Sequence, residues 1–447
     1  MRDASSFAAT IANAHDAFDL LQSAGPASLE AVHPTTTNQA EVRERLVESL
    51  RRVISPKGLA TAVSLGNDQL AELSRQSADA ASQHGVPFAA EALLAAFDEG
   101  FGPNISRVFE ARNSIELQAG SVFPLPGHEL ELLFGDRRFT PRQSSRNHID
   151  RRRKHLDVMI PTQYRVRLDF GRPALLGAFF GSPIVAAVFP NCHPNEFVCT
   201  PDANRNRFFD LRPKNLSAQQ LGVARLLERA CAEHAAIAVL PELSVTPDIA
   251  RTSAQHLRAS GSSIVFASGS YHTDCPDAGR VNRLELHSRG AAAPALHDKF
   301  SPFLLKEWEG SSYDPPLRED IATRPTMTFH WSQGWSVITL ICKDFLDDET
   351  LRLLALLRPN LVFVSAFSLE TALFRGFAQE IALKSQAIVV VANFGTGEGC
   401  LGAIAAMPVK DPDDVNQPLT RTKDSSVVAN KIALLDLRQP KIFWRIK

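Results

Sequence analysis

The N-terminal part of the chain carries the apolar spacing of amphipathic helices. Segments such as EVRERLVESLRRVI (41–54) repeat apolar residues at intervals of three and four, and Ala, Leu and Glu are frequent. Such spacing places the apolar side chains on one face of a helix, where they can be buried together. The pattern predicts a mainly helical N-terminal domain over 1–122.

The pattern changes between 123 and 180. Prolines and basic residues interrupt the helical spacing, and QYRVRLDF (163–170) alternates polar and apolar residues. Alternation of this kind is typical of a strand with one face in solvent. We predict a basic, proline-containing linker over 123–180 that includes some strand.

From 181 to 447, short apolar runs alternate with helical segments, which predicts an α/β domain with largely buried strands. The predicted strands are PIVAAVF, AAIAVL, SSIVFASG, WSVITLI, NLVFVSAF and AIVVVANFG.

One helix of this domain is predicted in detail, between the first two of these strands. Ser217 is placed to cap its first turn. The residues predicted to share its buried face are Leu221, Ala224, Leu227 and Cys231.

Composition narrows the classes of protein to consider. The chain has 447 residues, 44% of them hydrophobic, which is enough for two folded domains. No apolar run approaches the roughly 18 residues of a membrane span, and the first residues lack the apolar run of a signal peptide. Six cysteines without paired spacing indicate reduced thiols. We therefore expect a cytoplasmic protein with no membrane contact.

A net charge of −1 gives no general attraction to nucleic acid, but one basic stretch stands out. Residues 136–154 contain eight Arg or Lys and two Asp. The stretch is either a solvated linker or a contact for a protein or nucleic-acid partner, and it lacks the interleaved aromatics that would stack on bases.

Three reactive side chains fall at or near the ends of predicted segments in the C-terminal domain. Glu242 follows AAIAVL, Lys299 lies in APALHDKFSPF, and Cys342 follows WSVITLI. Open α/β sheets place their sites at strand ends. A thiol needs a base or a nearby cation to react at neutral pH, and Glu242 and Lys299 supply one of each.

The residues of these motifs and their order along the chain resemble the motifs of the nitrilase superfamily of carbon–nitrogen hydrolases. AVLPELSV, HDKFSPF and LICKDF look like its glutamate, lysine and cysteine signatures. Asn282, in VNRLELHSRG, and Asn393, in VVVANFGTGEG, match two further stations of the family pattern. The resemblance covers 181–447.

This resemblance implies an α-β-β-α sandwich that assembles into homo-oligomers. It implies that Cys342 attacks a non-peptide carbon–nitrogen bond, forming a thioester, with Glu242 as base and Lys299 as stabilising cation. The substrate would be a small amide or carbamoyl compound rather than a nitrile, and no metal or cofactor would be required. Asn393 would support the site or bind substrate.

Many members of the family carry a second glutamate after the lysine. Glu307 and Glu309 both qualify here, and the sequence does not decide between them. The chain also departs from the family pattern after the cysteine, where Lys343 replaces the usual aromatic or small residue.

Two other functions remain open from the sequence. The domain is either a scaffold whose N-terminal half recognises a partner, or a glutaminase-type ammonia donor to a separate enzyme. The N-terminal 180 residues resemble no family that we can name.

Overall fold

The computed structural model describes residues 16–31, 37–126, 153–171, 175, 184–191, 193–201, 208–277, 279–308, 310–332, 335–368, 371–385, 387–394, 403–406, 431–436 and 445–446. These residues form two compact units. The first contains the described residues up to 171, and the second contains those from 175 onward.

The first unit is helical, as the apolar spacing predicted. Helix α4 lies at its centre and contacts the three helices before it. Buried residues cover the whole circumference of α4, because alanine and leucine dominate its sequence. The helices are α1 (Ala17–Ser28), α2 (Thr37–Ile54), α3 (Asn67–His84), α4 (Val86–Phe101) and α5 (Ser106–Glu110).

Two strand pairs complete this unit. Strand β1 (Ser114–Leu117) pairs antiparallel with β4 (Arg165–Asp169), and β2 (Val122–Pro124) pairs antiparallel with β3 (Leu156–Val158). Strand β4 alternates buried and exposed residues, as its sequence predicted.

The described part of the segment predicted as a linker, 123–126 and 153–171, therefore folds with the helices. Strand β2 pairs with β3 and β4 pairs with β1, and the strands of each pair are far apart in sequence. The apolar pattern of each segment therefore could not predict either pairing. The basic stretch 136–154 lies outside the described residues apart from 153 and 154.

A buried carboxylate fastens β3 to the helices. Asp98, on α4, is 1% exposed and accepts three backbone hydrogen bonds, from the amides of Lys154 (2.7 Å), His155 (2.6 Å) and Leu156 (2.9 Å). Burying one backbone donor without a partner costs about 1–3 kcal/mol.

We expect Asp98→Ala to destabilise the first unit by about 2–4 kcal/mol, because it leaves all three amides without their acceptor. Hydrogen exchange of peptides from α4 should accelerate at least about tenfold, with peptides from the second unit as internal reference. Asp98→Asn keeps the oxygen that serves His155 and Leu156, so its effect should be smaller. Asp79→Ala, on exposed α3 surface, is the control. Equal exchange in the Asp98 and Asp79 variants would contradict the assigned role.

The second unit contains sixteen strands and four helices among its described residues. The strands are β5 (Ile184–Phe189), β6 (Phe197–Pro201), β7 (Phe208–Pro213), β8 (Ile237–Val239), β9 (Val265–Cys275), β10 (Gly279–His287), β11 (Ala295–Asp298), β12 (Leu304–Trp308), β13 (Ser311–Glu319), β14 (Thr326–Ser332), β15 (Trp335–Ile341), β16 (Leu361–Ala366), β17 (Ile388–Asn393), β18 (Ala403–Ala406), β19 (Lys431–Asp436) and β20 (Arg445–Ile446). The helices are α6 (Leu216–Ala232), α7 (Pro247–Ala259), α8 (Asp348–Leu357) and α9 (Thr371–Ser385).

Two sheets face each other in this unit. One has the order β11-β10-β9-β8-β5-β19-β20, and in the other the strands of this unit pair in the order β14-β15-β16-β17-β18. Contacts of β16 with β8, β17 with β5 and β15 with β10 join them. Helices α6 and α7 pack on the first sheet, and α9, beside α8, packs on the second. This arrangement confirms the predicted α-β-β-α sandwich, which follows a helical N-terminal region in the sequence.

A smaller third sheet was not predicted. It has the order β12-β13-β7-β6, with β13 and β7 parallel and the outer pairs antiparallel. Its strands return the chain towards the ends of β9 and β11, and two of them contribute carboxylates to the site described below.

The predicted buried face of α6 was wrong. Leu221 is 51% exposed, and the buried face carries Gln219, Val223, Leu226 and Ala230, together with Leu227. The helix is capped two residues earlier than expected, because the side chain of Asn215, not that of Ser217, accepts the hydrogen bond of the first turn.

No helix in the described part of the chain is long and apolar enough to cross a membrane.

Candidate active site

Cys342 lies where β15 ends, at the start of a short 3₁₀ turn, Cys342–Leu346. Its φ is +47°, in the left-handed region that costs a non-glycine residue about 1–3 kcal/mol. The backbone amide of Phe367, just beyond β16, donates a hydrogen bond to the sulfur. The parallel pairing of β15 with β16 brings these two strand ends together.

Glu242 and Lys299 approach the same place from the facing sheet. Glu242 follows β8, and Lys299 follows β11. Lys299 Nζ donates to Glu242 Oε1 at 2.7 Å, and the two residues are 1% and 2% exposed. The thiol of Cys342 adjoins this carboxylate, whose negative charge raises the pKa of the thiol. The structure therefore brings together all three residues singled out in the sequence, although they are far apart along the chain.

A second carboxylate contacts the lysine, and it is Glu319. Lys299 Nζ donates to Glu319 Oε2 at 2.7 Å, and Glu319 is 1% exposed at the end of β13. Glu307, by contrast, is exposed on β12, and Glu309 lies outside the described residues. The expectation that Glu307 would support the lysine is corrected here: β12 leads away from the lysine, and its antiparallel partner β13 brings the chain back.

Glu319 was missed in the sequence because the β12–β13 hairpin separates it from Lys299, and the length of that hairpin could not be known in advance. A usable signal was present, since Glu319 ends a strand just before a further turn. It could have been found only by pairing β12 with β13.

Two side chains on neighbouring strands hold the carboxylates. Asn282, on β10, is fully buried, and its Nδ2 donates to Glu242 Oε1 at 3.0 Å and to Glu319 Oε1 at 2.7 Å. His272 lies directly across from Asn282 in the β9–β10 pairing. Its Nε2 lies 3.0 Å from Glu319 Oε1, and its Nδ1 lies 2.7 Å from Asp210 Oδ1 on β7. Asn282 matched the sequence pattern, whereas His272 and Asp210 did not emerge from it.

The buried charges shift one another's proton affinity. Burial acts to lower the pKa of Lys299, but the charges of Glu242 and Glu319 raise it well above its usual value. Burial acts to raise the pKa of Glu319, but Lys299 and His272 hold it well below its usual range. Burial raises the pKa of Glu242 despite the attraction of Lys299. These shifts favour the charged forms of Lys299 and Glu319, and they increase the affinity of Glu242 for a proton.

The environment of Cys342 favours the protonated thiol over the thiolate. Burial raises its pKa well above the usual value, and the negative charge of Glu242 adds to this effect more strongly than Lys299 opposes it. Lys299 does lower the pKa of the thiol, as expected for a nearby cation, but burial and the charge of Glu242 outweigh this effect.

Asn393 contacts the backbone of Ser368, beside Phe367, and not the three reactive side chains themselves. It is fully buried at the end of β17, and its side chain accepts from the amide of Ser368 (2.9 Å) and donates to the carbonyl of Ser368 (2.8 Å). These bonds hold the segment whose preceding residue, Phe367, hydrogen-bonds the sulfur. The ring of Phe367 is stacked on that of Phe394 at 4.4 Å between centroids.

Asp344 ties the cysteine turn to the lysine loop. Its Oδ1 accepts from the backbone amides of Phe300 (3.1 Å) and Ser301 (2.8 Å), directly after Lys299, and its Oδ2 lies 3.0 Å from His297 Nε2. The residue between it and the cysteine, Lys343, points outward: it is exposed and donates to the carbonyl of Pro302 at 3.3 Å. Asp344 thereby sets the spacing of the two reactive groups.

We expect Asp344→Ala to lower kcat by about 100-fold with little change in KM, because a shift of about 1 Å between reacting groups costs that much. Steady-state turnover of the substrate identified as described below measures this. Asp344→Asn keeps an oxygen for both amides and should lose much less, and Asp274→Ala, an exposed carboxylate on β9, is the control. Equal loss in the Asn and Ala variants would contradict a role based on these amides.

Among the described residues, no three His, Cys, Asp or Glu side chains are arranged to hold a metal ion. The groups present at this place are a buried thiol, the carboxylate of Glu242, and an ammonium fixed between two carboxylates.

Several solved structures match the chain, and two of the three described here are named as members of the nitrilase superfamily. An amidase from Nesterenkonia, crystallised as a cysteine mutant, is 16% identical over 58% of this chain and 91% of its own, with a TM-score of 0.39. Nit3 of Saccharomyces cerevisiae is 15% identical over 57% of this chain and 89% of its own, with a TM-score of 0.39. A glutamine-dependent NAD+ synthetase from Acinetobacter baumannii is 15% identical over 59% of this chain and 47% of its own, with a TM-score of 0.38.

No protein-family model and no curated protein sequence matches the chain. Because the identities and TM-scores of the matching structures are low, the chemistry of this site has to be inferred from its own residues.

Proposed function

We propose that the second unit hydrolyses a non-peptide carbon–nitrogen bond in a small amide or carbamoyl compound through a thioester on Cys342. The observation that supports this most directly is the convergence of Cys342, Glu242 and Lys299 from two facing sheets into one buried cluster. Each group has a protonation state that suits one step of such a reaction.

In the first half of the proposed reaction, Glu242 takes the proton of the Cys342 thiol while the sulfur attacks the carbonyl carbon. The increased proton affinity of Glu242 suits a base that must act on a neutral thiol. Lys299 remains charged throughout and stabilises the negative oxygen of the tetrahedral intermediate. Glu242 then returns the proton to the leaving nitrogen, the carbon–nitrogen bond breaks, and ammonia or an amine leaves.

In the second half, a water molecule attacks the thioester and Glu242 takes its proton. The carbon–sulfur bond then breaks, the proton returns to the sulfur, and a carboxylic or carbamic acid is released. Water is the only co-reactant. Glu319 takes no proton in either half, because Lys299 and His272 hold its pKa low; its proposed task is to orient Lys299.

The site favours a compact substrate in this proposal. Cys342 is only 5% exposed, and aromatic rings adjoin the segment that binds its sulfur. Phe197 packs edge-on against Phe367 at 5.0 Å, and Trp308 lies 6.5 Å from the same ring. We propose an uncharged acyl or carbamoyl group beside these rings.

The test is ammonia release from a panel of amides, carbamoyl compounds, nitriles and glutamine, with intact-protein mass spectrometry of samples quenched in acid. We expect release from at least one amide or carbamoyl compound and an acyl adduct on the peptide that contains Cys342. The half-buried free cysteines, Cys199, Cys231 and Cys275, are internal controls. A panel without release or adduct would reject the hydrolase and favour the scaffold, and release from glutamine alone would favour an ammonia donor.

The proposed chemistry requires a reduced thiol, so we propose that the protein works in the cytoplasm. The homo-oligomer implied by the sequence resemblance remains a prediction, which light scattering of the purified chain would test.

A further inference from the structure

We propose that His272 is a positioning residue of this site, acting as a buried imidazolium between Asp210 and Glu319 that holds Glu319 in place for Lys299. This inference rests on the hydrolase function proposed above, and it adds a residue that lies outside the nucleophile, base and cation. Its basis is the geometry of both ring nitrogens.

Both nitrogens of His272 face a carboxylate. Nδ1 lies 2.7 Å from Asp210 Oδ1, and Nε2 lies 3.0 Å from Glu319 Oε1. The side chain is 2% exposed, so water does not substitute for either partner. A neutral imidazole has one N–H donor and one lone pair, and it would turn that lone pair towards one of the carboxylates. Only the doubly protonated ring donates to both.

The electrostatics agree with this geometry. Burial acts to lower the pKa of His272, but the hydrogen bonds and charges of Asp210 and Glu319 together raise it above its usual value. The charged groups facing the ring come from β7, β13 and β10: Asp210, Glu319, and Arg280, which lies 3.0 Å from Asp210. Lys299 completes the set through Glu319.

The positive charge of His272 affects the proposed reaction because it balances the charges of the buried cluster. Glu242, Glu319 and Lys299 alone would carry a net charge of −1 in a buried space, and such an excess opposes both thiol deprotonation and the formation of an oxyanion. His272 cancels that charge, while Arg280 and Asp210 balance each other at the edge. Glu319 thus has four donors: His272, Lys299, Asn282 and the backbone amide of Phe303.

Loss of the His272 proton should therefore release Glu319 and weaken the hold on Lys299. Because the folded-state pKa of His272 lies above the unfolded value of about 6.5, its stabilising contribution is fully present below that pH. It disappears as the pH rises through the folded value. Activity and stability of the second unit should decline together on this alkaline side.

The first experiment measures the charge state without using activity. Nitrogen-15 NMR of histidine-labelled full-length protein, assigned by comparison with His272→Gln, should show both ring nitrogens of His272 protonated at pH 7. A neutral ring at pH 7 would overturn the proposal, whether or not the panel of substrates finds an activity.

The second experiment measures positioning by the rate at which iodoacetamide alkylates Cys342, followed by peptide mass spectrometry. We expect His272→Gln, which keeps a neutral donor but removes the charge, to slow this alkylation about tenfold at pH 7, because the more negative cluster retains the thiol proton. On an active substrate the same variant should lower kcat about 10–100-fold, leave KM within about twofold and remove the alkaline decline.

The matched control is His287→Gln. His287 is also buried and lies 2.7 Å from one carboxylate, Glu285, which has no described bond to Lys299 or Glu242. It should alter stability but neither the alkylation rate nor the pH profile. Equal effects of the two variants would show that His272 is only structural. If the panel is silent but the ring is charged and alkylation slows, the proposed hydrolysis fails while the positioning role stands.

Discussion

Replacing Cys342 with alanine is expected to lower turnover by at least about 1,000-fold without unfolding the second unit. Without the sulfur no thioester forms, and the remaining Glu242 and Lys299 provide only general electrostatic help to a direct attack by water. Alanine also retains the Cβ that the left-handed backbone already accommodates. The lost hydrogen bond from the amide of Phe367 should cost only about 1 kcal/mol.

The measurement is ammonia release at equal folded concentration, with tryptophan fluorescence during urea unfolding as the test of folding. All four tryptophans lie beyond residue 300, so this signal reports the second unit. Cys231→Ala, a half-buried thiol on α6, is the matched control and should keep full turnover. Turnover by Cys342→Ala comparable to the wild type would remove the thioester from the mechanism.

Cys342→Ser separates a structural thiol from a nucleophilic one. The hydroxyl keeps a donor towards Glu242, but its proton is far harder to remove than that of a thiol. We therefore expect stability near that of the wild type and a loss of turnover close to that of the alanine variant. Full activity in the serine variant would contradict the assignment of a thiol nucleophile.

Replacing Lys299 with methionine is expected to destabilise the second unit by about 3–5 kcal/mol and to abolish turnover. The change leaves Glu242 and Glu319 facing each other, both almost fully buried, without the ammonium that contacts each at 2.7 Å. Loss of the cation that stabilises the oxyanion alone should cost about 100–1,000-fold in rate.

The defect of Lys299→Met should depend on pH in a defined direction. Without the lysine, burial should raise the folded-state pKa of Glu242 further, and that of Glu319, which Lys299 and His272 together hold low, should rise as well; the unfolded value is about 4.3. Their protonated forms then stabilise the fold, fully below that pH and progressively less as the pH rises through the folded values. Urea unfolding followed by tryptophan fluorescence should show a smaller deficit at pH 5 than at pH 8.

Two variants make this experiment decisive. Lys306→Met removes an exposed lysine of β12 and should be close to neutral at both pH values. Lys299→Met combined with Glu319→Gln removes one of the two stranded charges, so it should recover part of the stability but none of the turnover. A deficit independent of pH, or no recovery in the double variant, would mean that unpaired carboxylates are not its cause.

Features that depend on neighbouring residues were predictable from the sequence. Apolar spacing gave the helices of the first unit, and the short apolar runs became β5, β8, β9, β15, β16 and β17. Glu242 and Cys342 follow two of these strands, whereas Lys299 follows β11, which was not among the predicted strands. Their convergence on one site was implied by the family resemblance of the motifs and not by the apolar pattern itself.

Other features required the tertiary structure because they depend on residues that are distant in sequence. The place of Glu319 is set by the return of β13 along β12, and that of His272 by its position opposite Asn282. The pairing of β2 with β3 and the bonds to Asp98 joined the described part of the expected linker to the first unit.

The charge states belong to this second group as well. The sequence singled out the Cys342 thiol, the Glu242 carboxylate and Lys299, but the degree of burial and the distances to Glu319 and His272 decide which groups hold protons. Burial outweighs the nearby cation at Cys342, while two cations outweigh burial at Glu319. The sequence alone therefore predicted the thiol, the carboxylate and the lysine of the candidate site, whereas the remaining members of the cluster and its electrostatic balance required the fold, because desolvation and Coulomb energies depend on positions in space.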